Sequence, residues 1–210
     1  MKAVLIALAL CLLPALRGAA QQVMFANVDA LRTGRGDTVS ILRLTHRSTN
    51  RRMMTGGAEF RIEAEDNSGL SRYLRSRCFA VQMDTALYVN CRRMRYRRYS
   101  LGRWYAPAMW AAGRVFYCTQ PVGQEAGSTF TRTDQVKLGG EVGNAIAVSG
   151  LVKARVYYEI DMQTGRSTFV GKERMRELLA PYPEKLAELE GETSEVAEVI
   201  GRYLTFLSQQ

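Results

Sequence analysis

The densest chemistry in this sequence lies in one short run, Arg92-Arg93-Met94-Arg95-Tyr96-Arg97-Arg98, with Arg103, Trp104 and Tyr105 just beyond it. A guanidinium is a planar fork of donors that matches phosphate, sulfate and carboxylate, and interleaved aromatic rings can stack on sugars or bases. If a strand that begins near Leu87 continues, Arg93, Arg95 and Arg97 share one face, because strand side chains repeat every two residues. Three like charges on one face repel unless an anion or an acidic partner sits over them. The segment is therefore a candidate anion site, suited to an anionic glycan, a membrane surface or an acidic protein. The competing expectation is a solvated basic loop, or arginines paired with acidic helices nearer the C-terminus. Nucleic acid is not expected, since no RRM, KH or helix-turn-helix pattern accompanies the run.

Other reactive side chains are sparse. His46 is the single histidine, so any Ser-His-Asp or Cys-His arrangement would have to use it, and no Gly-x-Ser-x-Gly elbow is present. A plain strand-end histidine is the better reading. Cys78, Cys91 and Cys118 lack a Cys-x-x-Cys pair, so no metal is expected. Glu59, Glu63, Glu65 and Asp66 cluster; paired carboxylates hydrolyse glycosides, but only at defined separations. Gly139-Gly140-Glu141-Val142-Gly143 is neither a P-loop nor a dinucleotide fingerprint, so no cofactor is expected. On a helix, Gly139, Gly143 and Ala147 would form a smooth stripe for close packing or self-association. The same segment also reads as a flexible connector. Arg35-Gly36-Asp37 is the integrin-recognition tripeptide, a short match of the kind chance supplies.

These residues need elements to position them. Asn27 caps a short helix through Leu31 that Gly34 stops. Thr38 to Leu44 alternates as one strand, and Glu59 to Glu65 does so with Phe60, Ile62 and Ala64 on one face. Ser68 opens a helix with Leu70, Tyr73 and Leu74 inward and Arg72 and Arg75 outward. Phe79 to Met83 and Leu87 to Cys91 form a hairpin around Asp84-Thr85. With that two-residue turn, paired residues sum to 169 and Cys78 faces Cys91; a disulfide then needs closure by local twist. A three-residue turn removes the pairing. The alternative to the bond is three buried thiols, the usual state of free cysteine. Val115 to Cys118 is a further strand. Arg155 to Ile160 and Arg166 to Val170 flank the loop Asp161 to Gly165. Met175, Leu178, Leu179 and Tyr182 follow helical spacing, Pro183 starts a helix that Gly191 stops, and Val196 to Leu207 carries an apolar stripe. The sum is α+β: an antiparallel, hairpin-built sheet with a helical C-terminal tail.

The start of the chain reads differently. Met1-Lys2, the apolar run Ala3 to Leu16 and the small residues Gly18-Ala19-Ala20 fit a secretory signal peptide cleaved after Ala20. Leu10 before Cys11, and Leu12 and Leu13 after it, argue against lipidation. The expected protein is thus exported, periplasmic or extracellular. Residues 21–210 form a single domain with a basic β-rich part, 21–150, and a hairpin plus helical part, 151–210. The basic part holds 19 Lys and Arg against 10 Asp and Glu; the remainder holds 8 against 10. Of the 210 residues, 47% are hydrophobic and 23% charged, which excludes wholesale disorder and collagen-like or knottin-like scaffolds.

The order of several segments resembles a known family. Met54-Thr55-Gly56-Gly57-Ala58 precedes a strand, Leu87-Tyr88-Val89-Asn90-Cys91-Arg92 is followed by Leu101-Gly102 and Tyr105-Ala106, and Leu178-Leu179-Ala180-Pro181-Tyr182-Pro183 opens the tail. Together they resemble a family of uncharacterised secreted proteins, a domain of unknown function, from Bacteroidota. The resemblance implies an origin and a localisation and carries over no catalytic residue. The expected function is non-enzymatic binding through Arg92 to Tyr105. The alternatives are a carboxylate-dependent glycan hydrolase and a structural or assembly subunit of the cell envelope.

Overall fold

The protein is described by a computed structural model over residues 22–39, 41–55, 57–122 and 154–210. The expected signal peptide and the stripe Gly139 to Ala147 lie outside the described residues. The first part runs β1 (Gln22–Phe25), α1 (Val28–Thr33), β2 (Asp37–Val39), β3 (Leu42–His46), α2 (Thr49–Thr55), β4 (Phe60–Ala64) and α3 (Ser68–Ser76). It continues with β5 (Ala80–Met83), β6 (Ala86–Asn90), a 3-10 turn (Cys91–Arg93), β7 (Arg95–Tyr96), β8 (Tyr99–Ser100), β9 (Tyr105–Ala111) and β10 (Arg114–Thr119). The tail is β11 (Val156–Ile160), β12 (Ser167–Val170), α4 (Lys172–Leu179), α5 (Pro183–Gly191) and α6 (Ala197–Ser208).

The strands make one sheet in the order β2-β1-β5-β6-β9-β10-β11-β12-β7-β8, with β3 paired to β4 and β4 touching β9. Among the pairings of the described residues only β12 with β7 is parallel. Alternation sorts side chains between faces. Val115 and Tyr117 enter an inner core with Val89, Ala106, Val156 and Tyr158, while Phe116 between them enters an outer core with Met175, Leu179, Ile200 and Leu204. The tail helices thus cover one stretch of the outer face. A third cluster, with Ile62, Leu74, Val81 and Tyr105, lies under β3, β4 and α3.

Most expected elements appear. Asn27 Oδ1 accepts from Ala30 N at 2.8 Å and Gly34 takes φ 67°, so the first helix starts and stops where its caps place it. The β5–β6 register is Ala80 to Val89 and Met83 to Ala86, the 169 pairing. The five-residue loop before β12 is closed by Asp161 N to Arg166 O at 2.8 Å, with Gly165 at φ 68°.

Two strand expectations are corrected, and of the two alternatives for the cysteines one is seen. Thr38 to Leu44 is two strands: β2 pairs with β1 and β3 with β4, and the Leu42 amide donates to the Gln22 side chain at 2.6 Å between them. Cys78 and Cys91 are free thiols. The ladder ends at Ala80–Val89, and alternation fails just beyond, because Phe79 and Ala80 both enter the inner core. Cys78 is thereby turned into the third cluster while Cys91 stays in the inner core, so the two sulfurs lie on opposite faces. Finally, the strand after Leu87 does not run through the arginines. It gives way to the 3-10 turn, where Asn90 Oδ1 accepts from Arg92 N at 3.1 Å.

Candidate functional site

The arginine run is folded into a turn and a small hairpin. Met94 and Tyr96 point inward and are 1% and 5% exposed. Arg92, Arg93, Arg95, Arg97 and Arg98 are exposed. Arg97 opens the β7–β8 turn at φ 53°, the first-position sign of a type II′ turn, where glycine is usual. The face expected to be shared by Arg93, Arg95 and Arg97 is therefore broken on both sides of Arg95. Arg97 lies over the Tyr96 ring at 5.6 Å, and Arg98 over Tyr99 at 5.2 Å with a hydrogen bond to its hydroxyl at 3.2 Å. No carboxylate of the described residues forms an ion pair with Arg92, Arg93, Arg95, Arg98 or Arg103.

The basic surface extends beyond this run. Asn90 donates to Leu74 O at 2.9 Å and to Cys78 O at 3.0 Å, which ties the end of α3 to the turn that carries Arg92 and Arg93. Arg72, Arg75 and Arg77 are exposed on α3 and its C-cap. Burial raises the Tyr73 hydroxyl, aided by Cys78 and Asp37, while Arg93 and Arg77 together oppose the rise, so both guanidiniums bear on that one group.

Trp104 and Tyr105 do not serve as free stacking surfaces. Tyr105 is 1% exposed and donates to Leu74 O at 2.8 Å. Burial pushes its hydroxyl far up, so it stays protonated. Trp104 is half-buried, with the guanidinium carbons of Arg47 and Arg61 each 5.3 Å from its ring centroid. Its φ of 79° is left-handed, which costs a non-glycine residue about 1–2 kcal/mol. The loop that holds it is pinned by Ala58 N to Arg103 O at 2.7 Å and Cys91 N to Trp104 O at 2.8 Å.

This reveals a second arginine group that the sequence did not announce. Arg47 and Arg52 are each 6% exposed. Arg47 donates to Ala58 O at 2.7 Å and Arg51 O at 3.4 Å. Burial lowers its pKa, and repulsion from Arg52 and Arg51 lowers it further. Glu59 accepts from Arg52 at 2.7 Å and from Arg155, and Glu63 from Arg61. Two members of the expected carboxylate cluster are thus engaged by arginines. His46, the last residue of β3, meets the Phe60 ring edge-on at 5.3 Å.

A cavity of about 570 Å³ is lined by Tyr96, Arg97, Phe169, Glu173, Glu177 and Glu195 among others. The arginine hairpin therefore does abut the acidic tail there, at Arg97 rather than along the whole run. Among the described residues no three His, Cys, Asp or Glu side chains gather as metal ligands. No helix of the described residues is long and apolar enough to cross a membrane.

Residues 23–210 match a family of unknown function, DUF6563, and the chain belongs to it. No curated protein and no solved structure matches.

Proposed function

With membership of that family as the premise, we propose that this is an exported Bacteroidota protein that works by binding, and that its partner is an anionic glycan of the cell envelope. The observation that carries the reading is the surface of exposed arginines on α3, the 3-10 turn and the β7–β8 hairpin, with none of Arg72, Arg75, Arg77, Arg92, Arg93 or Arg95 bridged to a described carboxylate. Exposed like charges raise the potential over one face and draw an anion to it. A polymer fits better than an inserted membrane surface, because Tyr96 and Tyr105 are buried, Trp104 lies under two arginines and the half-buried Tyr99 lies under Arg98, so no aromatic of the patch stands free as a wedge. Export rests on the leader: cleavage after Ala20 gives a chain starting at Gln21, and the family match begins at residue 23. The hydrolase alternative gains no support from Glu59 and Glu63, whose carboxylates are held in ion pairs.

The test is binding of residues 21–210 to dextran sulfate and to vesicles of phosphatidylglycerol across a salt series, beside the triple variant Arg92→Ala, Arg93→Ala, Arg95→Ala. Dextran sulfate should bind, salt should weaken the binding, and the variant should lose it. Equal binding by the variant would remove the reading, and tighter binding to vesicles would move the partner to the membrane.

A further inference from the structure

The cavity that Arg97 lines is walled differently from the outer arginine surface. It holds about 570 Å³, within the span of roughly 300–1,000 Å³ that takes small organic ligands. Phe169, half-buried on β12, gives it one apolar wall. Glu173 and Glu177 line it from α4, one helical turn apart and so on one helix face. Arg174 lines it too, but its donors are taken. Its Nε and Nη2 donate to Glu159 at 2.7 and 3.1 Å, and its Nη1 donates to Glu177 Oε2. Glu173 is exposed and forms no ion pair with a described residue. Glu195 Oε1 accepts from Lys172 N at 2.7 Å. Gly171 keeps the space clear, since a Cβ there would stand 2.8 Å from Glu195 Oε1 and 2.9 Å from the Phe169 ring.

The lining is therefore acidic on balance, with Glu173, Glu177 and Glu195 against Arg97 and Arg174. A sulfate or phosphate is repelled by such a wall. A hydroxyl is held by it, because a carboxylate is a stronger acceptor than a neutral oxygen. A sugar ring has hydroxyls around its edge and C–H groups on its face, which match the carboxylates of α4 and the ring of Phe169. We propose that the cavity seats one uncharged sugar unit of the anionic glycan, with the acidic units on either side held by the hairpin arginines. The proposal rests on the anion-binding reading and deepens it: the polymer is one in which acidic and uncharged sugars alternate. The β7–β8 hairpin joins the two places. It carries Arg95 and Arg98 exposed and lines the cavity with Tyr96 and Arg97, so a polymer held by the one set is brought to the other.

The test compares two polyanions on residues 21–210 at fixed ionic strength. Hyaluronan octasaccharide alternates glucuronate with uncharged N-acetylglucosamine, whereas dextran sulfate is sulfated along its whole length. Glu173→Ala opens the wall of the cavity. Glu184→Ala removes an equal charge from an exposed position on α5 and is the control. Hyaluronan should bind, and Glu173→Ala should weaken it about ten-fold, the worth of one charge-assisted hydrogen bond. Glu184→Ala should leave it unchanged, and neither variant should weaken dextran sulfate. Hyaluronan binding that Glu173→Ala leaves intact, or that both variants weaken equally, overturns the cavity site. Dextran sulfate binding without hyaluronan binding removes the cavity site alone, and binding of neither polymer removes the anion reading and the cavity site with it.

Discussion

At Glu59 one carboxylate serves two arginines, and at Glu159 another does the same. Glu159 is 6% exposed and accepts from Arg114 at 2.6 Å and Arg174 at 2.7 Å. Burial pushes its pKa up, but the hydrogen bonds from Arg174 and Arg114 outweigh that and leave it lowered. Thiols show the opposite balance, because nothing cationic offsets their burial. Burial pushes Cys78 up to about 11, and Cys91 and Cys118 up to about 12. Folded residues 21–210 should therefore give a mass without reductant that corresponds to three free thiols. Each pKa unit removes about a factor of ten in reactive thiolate, so alkylation at pH 8 should be slow until denaturant is added. The sign for stability follows. A thiol whose pKa is raised on folding contributes stability that is complete below its unfolded value of about 8.5 and is lost as pH rises toward the folded value. Urea midpoints measured from pH 8 to pH 11 should fall, and replacing Cys91 by Ser should flatten that decline. A disulfide-linked mass would contradict the opposite-face placement of Cys78 and Cys91.

Elements were legible where a local rule decided them. The caps at Asn27 and Gly34, the turn at Asp84-Thr85 and the spacing of Met175, Leu179, Ile200 and Leu204 are local, and each element formed where those residues place it. β9 was not legible. Tyr105 to Ala111 holds Pro107 and three alanines, and its strand state comes from β6 and β10 on either side, which no residue within it announces. The arginine site was half legible. The run Arg92 to Arg98 is visible as charge, but Arg47, Arg52 and Arg61 are scattered in sequence, and buried arginine is too rare to anticipate. The element that brings Trp104 to Arg47 and Arg61 is the loop 101–104 against Gly57, and this can be tested. Gly57→Ala adds a Cβ 2.4 Å from the Arg103 carbonyl at a φ of 83°. It should cost more than about 1 kcal/mol in urea denaturation and should shift Trp104 emission as the loop is pushed away. Gly113→Ala, also at positive φ but with nothing near its Cβ, should cost only the backbone term and leave that emission alone.

At the scale of the whole molecule, one sheet separates the cores and also joins them. Each of β10 and β11 sends alternate side chains to the inner and the outer core: Val115 and Tyr117 against Phe116, Val156 and Tyr158 against Tyr157. Neither core can open without disturbing strands that the other needs. The tail helices are therefore integral to the fold, although their charge differs in sign from that of the sheet. Leu204 on α6 is 0% exposed in the outer core, and Leu204→Ala should cost about 3 kcal/mol, in the range of buried leucine truncations. The more informative quantity is how that loss is distributed. Trp104 packs against the inner core, on the far side of the sheet from Leu204. If the strands couple the cores, urea transitions followed by Trp104 emission, in the Trp110→Phe background, and by far-UV circular dichroism should coincide in Leu204→Ala and shift together to lower urea. If the circular dichroism moves while Trp104 emission keeps its original midpoint, the helices fold onto the sheet as a separate unit. The arginine surface would then belong to a sheet that stands without them.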